Sequence, residues 1–477
     1  MLFSSLVFLF FFLPFVLLVY YTVLRKTRLG QNIFLCFMSL FFYAWGEPRF
    51  VLVMLLSIVV NWILGLYVNR YRKTHGKKFI ALAVVFNLTI ILIFKYLNFT
   101  VHNFNLLTGA EIPDPGIALP IGISFFTFQA MSYVIDVYRE KGAAQKNLLN
   151  VALYISFFPQ LIAGPIVRYE TVAEQIHTRV ETWEGFTEGV RRFIIGLAKK
   201  VLIANNVALV ADQAFGLLDK PVWMGAEAPL TCGIAWVGAL AYTLQIFYDF
   251  SGYSDMAIGL GRMFGFQFLE NFNAPYISGS VTEFWRRWHM SLGTWFRDYV
   301  YFPLGGSRVD TRRRHIFNLF VVWLCTGVWH GANWTFITWG LMYFVLLVFE
   351  KYTGIDKPCK TLPAEILRHI YTMLFVIIGW VIFRANSLTD AMQYLSVMFR
   401  PSTGFSDLAV FCLREYGVYF FFGALFSLPV VPALAKKIRN RKSPVYWVLI
   451  PVLLALFAVS VSFIVKGSYN PFIYFNF

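Results

Sequence analysis

The chain is short of charge. Only 14% of its 477 residues are Asp, Glu, Lys or Arg, against about 25% in ordinary soluble domains. No polar block is long enough to fold as a separate soluble domain. Cysteine is sparse as well: the five residues stand at 36, 232, 325, 359 and 412 with no CxxC pair. Neither a zinc site nor a disulfide framework is indicated, and no metal is expected. HExxH, Walker A and GxSxG are all missing. Gly259-x-Gly261 lacks the third glycine, so the dinucleotide-binding pattern fails. No internal repeat is visible, which disfavours a transporter built from inverted halves.

Apolar residues fill the space left. They make up 58% of the chain, aromatics alone 19%, and the mean hydropathy is +0.62. Apolar runs fall at 3–24, 31–46, 49–69, 78–99, 117–138, 147–166, 190–212, 230–250, 316–335, 336–350, 366–384, 416–434 and 445–465. Some are short or polar, so about eleven true spans are expected at ~20 residues each. The fold class is an all-α polytopic membrane protein, a single domain over 1–477. Residues 1–24 have no basic leader and no clear cleavage site, and read as a retained span. The 147–166 run carries Pro159, Gly164 and Pro165 and reads as re-entrant.

The net charge of +16 does not point to nucleic acid. Most Lys and Arg sit in short loops between apolar runs, where they set orientation and meet anionic headgroups. The clusters are Arg25/Lys26/Arg28, Arg70 to Lys78, Arg139 to Lys146, Arg308 to Arg314 and Lys436 to Lys442. All lie in the cytoplasm if the N-terminus is outside and Gly46-Glu-Pro48 turns a hairpin there.

Within the 316–349 apolar stretch stands Cys325-Thr-Gly-Val-Trp-His330-Gly-Ala-Asn-Trp-Thr335. An imidazole at membrane depth needs a partner or a wet cavity, and is a functional candidate by default. Gly327 and Gly331 leave the backbone open to close approach. Residues 249–308 are too polar and Gly-rich to span simply. Asp249 and Asp255 bracket a Ser-Gly-Tyr-Ser stretch and read as turn and capping carboxylates; an acid/base pair is the alternative. Ser280 and Glu283 have capping-box spacing. From there Trp285, Trp288, Leu292, Trp295 and Tyr299 share one face of an expected interfacial helix. His289 lies beside that stripe. Arg286 and Arg287 either snorkel or meet an anionic ligand. Asn87, Asn98 and Asn333 match the glycosylation sequon, the last implausibly at membrane depth.

These motifs resemble the membrane-bound O-acyltransferase family, in its bacterial branch for alginate and teichoic acids. The matching pieces are Asp249 to Gly265, Glu270-Asn-Phe-Asn-Ala-Pro-Tyr276, Glu283-Phe-Trp-Arg-Arg-Trp-His289-Met-Ser-Leu, Arg297 to Gly306 and Gly327-Val-Trp-His-Gly-Ala-Asn333. Leu119 to Gln129 and the tail Asn470 to Phe477 resemble the alginate type. The resemblance implies a helical bundle around a funnel and tunnel, with its catalytic block at about 245–350. It implies His330 as the catalytic histidine and His289 as the second. Acetyl-CoA is the implied donor, with no bound cofactor. An exported polysaccharide is the ultimate acceptor, and an extracytoplasmic SGNH-type acetyltransferase or a small acceptor subunit is the implied partner. The implied place is the bacterial inner membrane.

On that basis His330 takes the proton of an attacking hydroxyl. His289 or Asn333 stabilises an oxyanion. Asn333, Arg286, Arg287, Asp249 and Tyr253 are candidate substrate contacts. The glycines at 327 and 331 would pass a pantetheine arm. The competing readings are a flippase using His330 as a proton relay, and a scaffold for polysaccharide export.

Overall fold

The structure, a computed structural model, describes residues 1–430 except 224 and 360, and 444–473 except 468 and 472. The basic cluster Lys436 to Lys442 lies outside the described residues, as does most of the aromatic end of the tail. Apart from a two-residue hairpin pairing Val222–Trp223 with Ala226–Glu227, the described residues are helices and connections. The helices that matter here are α1 (Leu13–Tyr21), α2 (Arg28–Gly46), α3 (Val51–Arg70), α4 (Gly76–Thr108), α5 (Ile123–Tyr138), α6 (Leu148–Ser156), α7 (Trp183–Gly216) and α8 (Cys232–Met263). They continue with α9 (Val281–Arg287), α10 (Met290–Phe296), α11 (Arg312–His330), α12 (Trp334–Thr353), α13 (Leu362–Arg384), α14 (Leu388–Met398), α15 (Asp407–Ser427) and α16 (Pro444–Lys466).

Eight helices among the described residues are long and apolar enough to cross a membrane. They are α2, α3, α4, α7, α12, α13, α15 and the Val448–Lys466 part of α16. Two shorter apolar helices, Phe8–Tyr21 and Leu148–Gln160, accompany them. The chain is a multi-pass membrane protein. Large apolar side chains stand exposed along these helices, including Phe11, Phe37, Leu52 and Leu454. On a spanning helix such residues face lipid.

Two compact units divide the chain. The first comprises Met1–Ile194 and Tyr253–Leu269. Phe8, Phe12, Phe42 and Phe158 pack its centre, with Phe12 edge-on to Phe158 at 5.4 Å. Asn61 of α3 and Asn87 of α4 exchange side-chain hydrogen bonds of 3.2 and 2.8 Å, a polar clasp of the kind that joins helices in lipid. Asn87 is fully buried, so its sequon is closed to a glycan. The 147–166 run breaks as its prolines and glycine require: α6 stops at Ser156, a 3-10 turn covers Phe158–Gln160, and residues 151–166 are buried.

The second unit comprises Ile195–Gly252 and Glu270–Ile473 and holds both candidate histidines. Two expectations fail in the region 249–299. The Ser-Gly-Tyr-Ser stretch is no turn, because α8 runs unbroken from Cys232 to Met263. The 281–299 stretch is no single interfacial helix, because it breaks between α9 and α10 at His289. The periodicity continues across the break, but tertiary hydrogen bonds override it. Asn273 N donates to Arg287 O and Met290 N donates to Asn271 O, both at 2.9 Å. Loop 271–273 thus satisfies the backbone groups that the break exposes.

Candidate functional site

The α11–α12 hairpin sets His330. Thr311 caps the start of α11, its hydroxyl accepting from Arg314 N at 3.2 Å, and His330 is the helix's last residue. Asn333 caps α12, with Oδ1 accepting from Thr335 N at 3.1 Å and Nδ2 donating to Asn386 O at 2.8 Å. Both ends of that amide therefore hold backbone. The flanking glycines also have another use. A Cβ on Gly327 would stand 2.6 Å from Phe336 O, and one on Gly331 would strike the Phe336 ring. They admit α12, not a pantetheine arm.

The His330 ring is 6% exposed. It meets Trp329, Trp339 and Phe383 edge-on, at 5.0, 5.0 and 5.1 Å between centroids. The other face of this arrangement holds the second histidine: the Trp329 ring lies 6.0 Å from His289 and 5.0 Å from His330. One indole is thus flanked by both imidazoles.

His289 is built by a strained segment. Ser280 Oγ accepts from Glu283 N at 3.0 Å, as the capping-box spacing predicts. The reciprocal bond goes one residue earlier than the motif requires, from Gly279 N to Glu283 Oε2. Glu350 of α12, fully buried, accepts from Val281 N, Thr282 N and Thr282 Oγ1 at 2.7–2.8 Å. A carboxylate at the positive end of a helix is favourable, and this one comes from a neighbouring helix. Its three donors fasten α9 to α12.

After Trp288 the backbone of His289 turns left-handed, at φ 45° and ψ 51°. The side chain is 2% exposed. Phe250 of α8 lies edge-on to it at 4.6 Å. Its Nδ1 is 3.2 Å from Asn271 Oδ1, and its Nε2 is buried with no hydrogen-bond partner. Burial in this apolar setting lowers the imidazole from its ordinary value to about 3, because desolvation penalises the charged form.

The remaining candidates have structural partners of their own. Asp249 is 1% exposed and pairs with Lys200 at 2.8 Å, while its Oδ2 accepts from Ile473 N at 2.9 Å. It anchors the tail. Asp255 pairs with Arg192 at 2.9 Å in the first unit, so the two aspartates are not an acid/base pair. Tyr253 also belongs to the first unit, where it stacks on Phe3 at 4.6 Å. Arg287 is held by Glu283 at 2.8 Å, and Arg286 is exposed.

Sequence reading missed Asn271, Trp329 and Phe383 as parts of the site. It also passed over Lys95, buried within α4, which donates to Ser124 Oγ at 3.2 Å. Asn271 and Trp329 lie inside the quoted motifs, so the signal was present, but nothing in linear spacing joins 271 to 289.

Comparison with known proteins adds to this geometry. Residues 37–389 match the profile of the membrane-bound O-acyltransferase family. A "probable alginate O-acetylase" of Azotobacter vinelandii is 40% identical over the whole of both chains. One from Pseudomonas aeruginosa is 44% identical over 84% of this chain and 76% of its own. A peptidoglycan O-acetyltransferase of Helicobacter pylori is 31% identical over 100% of this chain and 98% of its own.

Proposed function

The chain belongs to the membrane-bound O-acyltransferase family, and from that we propose that it moves an acetyl group from acetyl-CoA in the cytoplasm to a hydroxyl acceptor, for O-acetylation of an exported polysaccharide such as alginate. The observation that carries this reading is the pair of buried histidines about one indole. Acyl transfer from a thioester needs a group to take the hydroxyl proton and return it to the thiolate. As the acceptor oxygen attacks the carbonyl carbon, its proton passes to the histidine pair. The carbon–sulfur bond then breaks and the thiolate leaves with a proton from the same pair.

His330 stands at the position the family resemblance makes catalytic. Aromatic walls keep water from competing with the acceptor hydroxyl. The protein sits in the bacterial inner membrane with its N-terminus outside, by the placement of the basic clusters. It works with an extracytoplasmic SGNH-type acetyltransferase or a small acceptor subunit that carries the group onward. The acyl donor is a substrate, and the protein keeps no resident cofactor.

The test is His330→Ala in a strain lacking the native gene. Ester content of the exported polysaccharide should fall by about 10²- to 10⁴-fold, with the protein at its usual level in the membrane. Membranes given labelled acetyl-CoA should release CoA only with the native chain. Undiminished acetylation by the variant overturns the assignment. Polysaccharide export that depends on His330 without any acyl transfer favours a carrier.

A further inference from the structure

We infer that Asn271 is a positioning residue that holds the His289 proton on Nδ1, leaving the Nε2 lone pair to receive a hydrogen bond from the acceptor hydroxyl. The inference rests on the acyl-transfer reading above, and it assigns His289 a different duty from oxyanion binding.

The derivation starts from Ser291. Its backbone amide lies 3.2 Å from one terminal atom of the Asn271 side chain. A backbone N–H can only donate, so that terminal atom is the carbonyl oxygen and not the amide nitrogen. Ser291 Oγ donates to the same oxygen at 2.9 Å. The oxygen is also 3.2 Å from His289 Nδ1. Being an acceptor only, it requires Nδ1 to carry hydrogen. A neutral imidazole has one N–H, so the lone pair is on Nε2. That nitrogen is buried and unpartnered. A buried polar atom without a partner is destabilising, and an incoming hydroxyl would supply the partner.

The surroundings keep the ring neutral. Phe250 faces it from α8, Trp329 from α11, and Asn271 and Ser291 from the loop and from α10; none is charged. The titratable groups next along these elements are Asp249, already paired with Lys200, Glu270, Arg287, held by Glu283, and His330. With its only N–H given to Asn271, His289 has nothing left to donate to an oxyanion. It can instead accept the acceptor hydroxyl's hydrogen bond on Nε2 and hold that oxygen in place while its proton passes to His330.

Asn271 also caps α10 through Ser291, so the test must separate positioning from capping. Asn271→Asp keeps an oxygen in place for both Ser291 and His289 and adds a negative charge. An adjacent carboxylate raises imidazole basicity by about 1–3 pH units, and a base is lost when it is protonated. The acid limb of CoA release should therefore move to higher pH by that amount. Asn271→Ala frees the tautomer and should lower kcat by about 10²- to 10⁴-fold, the scale of a misplaced ring proton, with KM for acetyl-CoA little changed. An unmoved pH profile in the Asp variant, or native kcat in the Ala variant, overturns the inference.

A readout independent of turnover uses the full-length protein in nanodiscs with ¹⁵N-labelled histidine. The His289 ring signals, identified by their loss in His289→Gln, should show a protonated Nδ1 and a bare Nε2. The opposite tautomer overturns the inference. If the native chain releases no CoA from acetyl-CoA, the donor assignment fails by itself and the nitrogen spectrum still decides the tautomer.

Discussion

His289 is held in a conformation that costs an L-residue about 1–2 kcal/mol, and glycine adopts it without strain. His289→Gly should therefore be more stable than His289→Ala, by about 1 kcal/mol. Thermal unfolding in nanodiscs reads this directly; equal melting points would show that the left-handed turn carries no strain. At this scale the sequence was legible where a residue type is costly by itself. His330 stood out because imidazole among apolar residues demands a reason. His289 was undervalued because neither its backbone angle nor its burial can be read from spacing. The two backbone partners of Asn333, Thr335 and Asn386, were not legible either, since one of them is 53 positions away.

Among the elements, the α11–α12 crossing depends on the absence of side chains. Gly327 and Gly340 face each other across it, and a Cβ on Gly340 would stand 2.5 Å from Trp323 O. Gly327→Ala should therefore destabilise the protein by about 1–3 kcal/mol through overpacking. Gly417→Ala in α15, where nothing lies within 4 Å, should be neutral or stabilising by up to about 1 kcal/mol. Comparing the two unfolding midpoints checks the crossing, and equal effects would refute it. Spacing predicted the cap at Ser280 correctly, because capping is local chemistry. It missed the break at His289, because the hydrogen bonds that make the break come from loop 271–273. It likewise mistook Asp249 to Asp255 for a turn: Gly and Ser weaken a helix, yet α8 is held on both sides of them.

For the whole molecule, composition alone fixed the class, since so little charge and so much apolar surface leave few alternatives to a membrane. The span count was less legible. Apolar runs of different length merge with polar flanks in α4 and α7, and polar residues such as Gln245 and Asp249 in α8 and Arg312 to His315 in α11 interrupt the apolar pattern. The proposed orientation, argued from the basic loops, has a direct probe. Of the five cysteines Cys359 alone is exposed, in the loop between α12 and α13. With the N-terminus outside, that loop is cytoplasmic. A membrane-impermeant maleimide should leave Cys359 unmodified in spheroplasts and label it in inverted vesicles; labelling in spheroplasts would reverse the proposed orientation.

Glu350 has a mechanical corollary. Its helix forms one wall around His330 through Trp339, and its carboxylate grips the first turn of the segment that leads to His289. Both imidazoles are thus bolted to a single rod. On the proposed function, that shared support ties the spacing of the two rings to one helix, and a substrate would enter past walls other than this one.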